Sequence, residues 1–166
     1  GMTISGSKII VAGYSHDGSS YNGAIYRYTS AGALDSAFNS PYGILTIDSI
    51  TEDNDVFNSV LVYSGSIYAS GESYSSVASS DFITTRVFSD GTVDSFWGAG
   101  GMVTTNLGGY DAANDLAISG GHVIVVGYSD NKIAIVKYTA AGGLDTSFSG
   151  DGKVVATLGF ASPQLS

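Results

Sequence analysis

The sequence predicts an all-β fold built from three copies of one four-stranded unit. Three observations predict it: an internal repeat, short runs of β-branched and aromatic residues, and a glycine excess concentrated at turns. Glycine supplies 23 of the 166 residues, about 14%, roughly twice average usage. Two prolines and eleven tyrosines accompany it. This is the composition of short strands joined by tight turns. No window of useful length carries the apolar period of a helix.

The repeat has three blocks in fixed order. In the first, residues 4–15 (ISGSKIIVAGYS) lie without gaps on residues 118–129 (ISGGHVIVVGYS), with a degenerate copy at 64–73 (SGSIYASGES) between them. The glycines that anchor these copies are Gly13, Gly71 and Gly127, spaced by 58 and 56 residues. In the second block, residues 27–38 (RYTSAGALDSAF) match 137–148 (KYTAAGGLDTSF), and the middle copy, 88–97 (FSDGTVDSFW), is shorter. The third block is GILTI at 43–47, GMVTT at 101–105 and GKVVA at 152–156. The chain therefore divides into units at about 2–55, 56–111 and 112–160, with 161–166 a tail or the stub of a further unit. Gly1, ahead of Met2, reads as a cleavage remnant.

Each unit reads as strands A to D. In the middle unit these are 56–62, 66–71, 82–88 and 101–107. The best B strands, at 9–11 and 123–126, are continuously apolar, the pattern of a strand covered on both faces. Sheets stacked face to face, as blades are in a propeller, provide that cover. Residues 2–5 align with 116–119, so the chain enters at the tail of a strand A. A ring of three blades is too tight to close with packed sheets, since single rings carry about 4–8. Self-association into a closed ring is therefore expected, as a homodimer of six blades or a homotrimer of nine. A fragment of a longer repeat protein is equally compatible with the pattern.

The strand ending in Val-X-Gly-Tyr-Ser, followed by Tyr-X-X-X-Gly-X-Leu-Asp-Thr-Ser-Phe and Gly-Asp-Gly-Lys-Val, resembles the bacterial delta-60 repeat. The nearest match lies at 126–129, 138–148 and 150–154. The middle unit departs from it by losing the strand B valines and by placing Glu72 where the others carry tyrosine. The resemblance implies propeller-like repeats in large bacterial proteins of the surface or secreted space, with no common activity.

Charge and chemistry narrow the function further. Fifteen acids against six basic residues leave a net charge of −9. That disfavours a nucleic-acid partner, which needs a basic surface. No apolar run approaches the length of a membrane helix, and the N-terminus shows no basic region followed by an apolar stretch, so no signal peptide is expected within it. Without cysteine, disulfides and thiolate chemistry are excluded. His122 stands where the first unit has Lys8, at the A–B turn, and His16 lies in a polar turn, Ser15-His-Asp-Gly18. Neither reads as a catalytic base, because a triad converges in space rather than along the chain. Asp35, Asp94 and Asp145 recur once per unit and read as turn caps, with Phe38, Trp97 and Phe148 as packing anchors beside them. Residues 52–55 and 150–152 are rich in oxygen ligands but lack the spacing of a calcium loop. No cofactor is expected, and Ca²⁺ is the only ion these stretches bring into question.

In an up-and-down blade the B–C and D–A connections emerge at one edge. That edge gathers Asp17, Asp48, Glu52, Asp53, Asp55, Asp81, Asp111 and Asp130, together with Tyr21, Tyr74 and Tyr110. The candidate ligand-binding residues are Asp17, Tyr21, Asp53, Asp55, Tyr74, Tyr110, Asp111 and Asp130. The expected function is a non-enzymatic interaction module that binds a glycan or protein. The alternatives are a hydrolase or lyase with its site in the central channel, and a purely structural spacer.

Overall fold

The computed structural model describes residues 1–49, 54–75 and 79–156. They form three four-stranded antiparallel sheets, and no helix occurs among them. The first sheet runs β1 (Met2–Ser5), β2 (Lys8–His16), β3 (Tyr21–Tyr28), β4 (Ile44–Ile47). The second runs β5 (Asn54–Tyr63), β6 (Ser66–Ser75), β7 (Ser79–Phe88), β8 (Met102–Thr105). The third runs β9 (Asp111–Ser119), β10 (His122–Ser129), β11 (Lys132–Tyr138), β12 (Lys153–Ala156). In each, spatial order follows chain order, which is the meander of a propeller blade. β5 begins at Asn54 and β6 continues to Ser75, both beyond their predicted limits, whereas β8 is shorter than the predicted 101–107.

Register confirms the phase of the repeat. Met2 pairs with Val11 and Ser5 with Lys8, as Leu116 pairs with Val125 and Ser119 with His122. β1 is therefore only the second half of an inner strand, four residues long against ten for β5 and nine for β9.

Two apolar layers hold the blades face to face. Ile10, Ala12, Ile25, Phe38 and Leu45 of the first blade meet Phe57, Val60, Ile67, Ala69, Ile83 and Val87 of the second. Tyr68, Phe82 and Trp97 of the second meet Leu116, Val123, Val125, Ala134, Val136 and Tyr138 of the third. Among the described residues, only the middle sheet is covered on both faces. In β2 and β10, expected to be covered twice, one set of side chains is sealed and the alternate set is open. Val125 is fully buried, while Val126 is 38% exposed. The physical reason is position: each outer blade has one neighbour.

The anchoring glycines divide in the same way. At Gly71 and Gly127 the facing inner strand carries a β-bulge. A Cβ there would lie 1.8 Å from the Val56 carbonyl oxygen and 2.0 Å from that of Ala112. Only glycine permits that approach. Beside Gly13, where β1 lacks its first half, a Cβ would meet nothing within 4 Å.

Candidate functional site

The edge predicted to gather the B–C turns and D–A loops exists, and hydrogen bonds define it. The Tyr21 N–H donates to Asn54 Oδ1 at 2.9 Å, joining the β2–β3 turn to the start of β5. The Ser79 hydroxyl donates to the Gly109 carbonyl at 3.0 Å. The Tyr110 N–H donates to Asp130 Oδ1 at 3.0 Å, and the Asp130 N–H returns to the Tyr110 carbonyl at 2.8 Å. The first two bonds tie a turn of one blade to the chain that enters the next, and the Asp130 pair ties the third blade's own turn to the loop that enters it.

The predicted site residues take three different positions. Asp17 is exposed and organises its own turn, accepting the Ser19 and Ser20 N–H groups at 2.8 and 3.0 Å and the Asn22 amide at 3.2 Å. Those donors, led by the backbone of Ser20, hold its pKa down at about 2. Asp130 is exposed as well. Asp55 and Asp111 instead are fully buried, which corrects their reading as surface ligand contacts. Each is a bracket for the loop before it. Asp55 Oδ2 accepts the Ser49 N–H at 2.5 Å, and Asp111 Oδ2 accepts the Leu107 N–H at 2.6 Å. Asp53 lies outside the described residues, as does Glu52.

The tyrosines come together in two groups. Tyr21 packs edge-on against Tyr14, with ring centres 5.1 Å apart, and against His16 at 4.8 Å. Tyr74 and Tyr110 stack across the boundary between the second and third blades, 6.3 Å apart and 25° from parallel. Their hydroxyls are hydrogen-bonded, and this bond raises the Tyr110 pKa. Tyr14, Tyr21 and Tyr110 keep 54%, 43% and 54% of their surface exposed. The candidate set read from the sequence left out Tyr14 and His16. Strand alternation does not show that the β2–β3 turn folds Tyr21 back over them.

Asp81 and Asp111 each carry a buried carboxylate oxygen with no hydrogen-bond donor among the described residues. Burial, and then the charge of Asp111, raise the Asp81 pKa. A carboxyl whose folded pKa is raised opposes folding at neutral pH, and the opposition fades as pH falls through that pKa. Asp81→Asn is therefore expected to stabilise the fold at pH 7 by on the order of 1 kcal/mol. Urea titrations at descending pH should show the gain disappearing once wild-type Asp81 is protonated in both states. A constant gain would refute the electrostatic cause.

The opposite edge carries the recurrent aspartates. Asp35, Asp94 and Asp145 each accept the N–H two residues on, from Ala37, Phe96 and Ser147 at 3.3, 3.2 and 3.1 Å. Each also holds a cation: Asp35 pairs with Arg27 at 2.7 Å and Lys8 at 2.8 Å, Asp94 with Arg86 at 3.2 Å, and Asp145 with Lys137 at 2.9 Å. His122 Nε2 stands 3.5 Å from Asp145, the place Lys8 takes beside Asp35. The Ser147 hydroxyl and Lys137 lead the contacts that hold Asp145 at about 2. These aspartates lock the C–D loop onto strand C. Asp151, in the oxygen-rich 150–152 stretch, accepts the Lys153 N–H at 2.9 Å. Among the described residues no three acidic or histidine side chains converge as a metal site.

Comparison with curated proteins returned no match. A family described as a domain of unknown function (DUF5122), beta-propeller, matches residues 7–38, 64–96 and 121–148. Each match opens at or beside an A–B turn and closes beside the aspartate that locks the C–D loop. On this sequence match and the three meandering blades, the chain belongs to the DUF5122 beta-propeller family.

Proposed function

We propose that this protein is a non-enzymatic interaction module of a bacterial surface or secreted protein, and that it binds a glycan through its tyrosine-bearing loop edge. The delta-60 resemblance supports that context. The observation that carries the reading is the pairing of half-open tyrosine rings beside carboxylates on a rigid edge. Tyr74 and Tyr110 stack at the boundary between two blades, and Asp130 fixes the Tyr110 backbone from the next turn. A flat ring offers an apolar face to the C–H face of a sugar, and neighbouring carboxylates accept its hydroxyls. Loops on a rigid scaffold suit this work, because the geometry is set before the ligand arrives.

The test is a glycan array followed by titration of the best hit. Tyr110→Ala is expected to weaken binding at least about tenfold with an unchanged melting curve, since the ring is largely exposed. Wild-type protein that binds no glycan on the array, or a Tyr110→Ala variant that binds equally well, would sink the reading. Turnover of a bound glycan would replace it with the hydrolase or lyase alternative.

A further inference from the structure

The open faces at the two ends of the chain are complementary by construction. On the first blade the outward set of β2 and β3 comprises the half-buried Ile9, Val11, Gly13, Tyr26 and Tyr28 around a sealed Ala24. The repeat aligns these with Val123, Val125, Gly127, Ala134, Val136 and Tyr138, the face of the third blade that is sealed against the second. On the third blade Val126, Tyr128 and Ile133 are 38%, 41% and 46% exposed. They align with the face of the first blade that packs on the second. Each open face thus carries one half of an interface that the chain already makes internally.

Single contacts repeat the pattern. At the first boundary the Asn39 N–H donates to the Asp90 carbonyl at 2.7 Å, and at the second the Gly98 N–H donates to the Ala141 carbonyl at 2.8 Å. The glycines after those carbonyls, Gly91 and Gly142, lie so close to the neighbouring blade that a Cβ would come within 2.4 and 2.5 Å of its backbone nitrogen. Their counterpart in the first blade, Gly32, has nothing within 4 Å. The unmatched other half is Ser149, whose positive φ of 55° repeats the 42° of Asn39 and the 60° of Gly98. Phe148 is half-buried, although Phe38 and Trp97 in the same place are sealed beneath the next blade.

We propose that a second copy of this chain docks head to tail on these faces, first blade against third, so that two copies close a six-blade ring. The Ser149 N–H then meets the Ala31 carbonyl of the second copy, and Phe148 is covered by the second copy's Tyr28, as Trp97 is by Tyr138. The contact is heterologous, joining unlike patches, and a ring is the form in which such a contact closes. Six blades fall within the range of single rings.

Light scattering of the 166-residue chain should give twice its 17.0 kDa mass. Gly13→Val adds a branched side chain to the open face of the first blade without straining the monomer, because Gly13 has ordinary extended backbone and open space. It is expected to give the single-copy mass with an unaltered β circular dichroism spectrum. Ile133→Glu, on the exposed face of the third blade, should raise the dissociation constant at least about tenfold. A single-copy or three-copy mass for wild type would overturn the six-blade ring. Retention of the two-copy mass by both variants would overturn the interface.

Discussion

Gly127→Val is expected to be the most damaging single substitution, lowering stability by about 3 kcal/mol or more. The new Cβ would sit 2.0 Å from the Ala112 carbonyl oxygen and 2.8 Å from the Ala113 Cα. Those atoms belong to the bulged inner strand, so no side-chain rotation relieves the collision. Either the bulge straightens, which slips the β9–β10 register and turns Leu116 out of the core, or the two strands part. Urea unfolding followed by tyrosine and tryptophan fluorescence measures the loss. The internal control is Gly13→Val, the same change at the matching position of the first blade, where the facing half-strand is missing. Its single-copy form should lose little. Equal damage at both sites would show that the bulge is not the cause.

Trp97→Ala should cost about 3–5 kcal/mol. Trp97 is 1% exposed and stands edge-on between Tyr68 of its own blade, 6.2 Å away, and Tyr138 of the next, 6.1 Å away. Its removal leaves a cavity in the apolar layer that joins the third blade to the second. Burial has also raised the Tyr138 pKa to about 12, with its hydroxyl 2.7 Å from Thr105 Oγ1. A void beside that ring would admit water and lower this value. Because a repeat array holds each unit through its neighbours, uncoupling the seam should split one unfolding transition into two. Differential scanning calorimetry should show the split, and spectrophotometric titration should place the tyrosine shift. Phe148→Ala, at the open end, should cost less in a single-copy sample.

The architecture was legible because a repeat carries its own alignment. Once Gly13, Gly71 and Gly127 were superposed, strand order, the phase of Met2 and the turn role of Asp35 all followed, and the observed register agrees. The paired cations were missed for a physical reason. Arg27, Arg86 and Lys137 recur at one position, but their value depends on the C–D loop folding back over strand C, and spacing along the chain does not encode that return. Asp55 and Asp111 were misread because an acid near a loop looks the same whether it faces water or brackets a backbone N–H. Burial separates the two cases, and it depends on the neighbouring blade. The loop edge itself was predictable from strand direction alone. The pairing of Tyr74 with Tyr110 was not, since it crosses between units.

The locks at Asp35, Asp94 and Asp145 also distribute the protein's field. Lys8, Arg27, Arg86 and Lys137 are four of its six basic residues, and all are held at the C–D edge. The acids of the opposite edge are left with little to offset them. The molecule is therefore an electric dipole set across the blades. Beside any negatively charged surface such a dipole experiences a torque that turns the C–D edge toward it and the tyrosines away. That orientation weakens as salt shortens the screening length from about 30 Å at 0.01 M to about 8 Å at physiological strength.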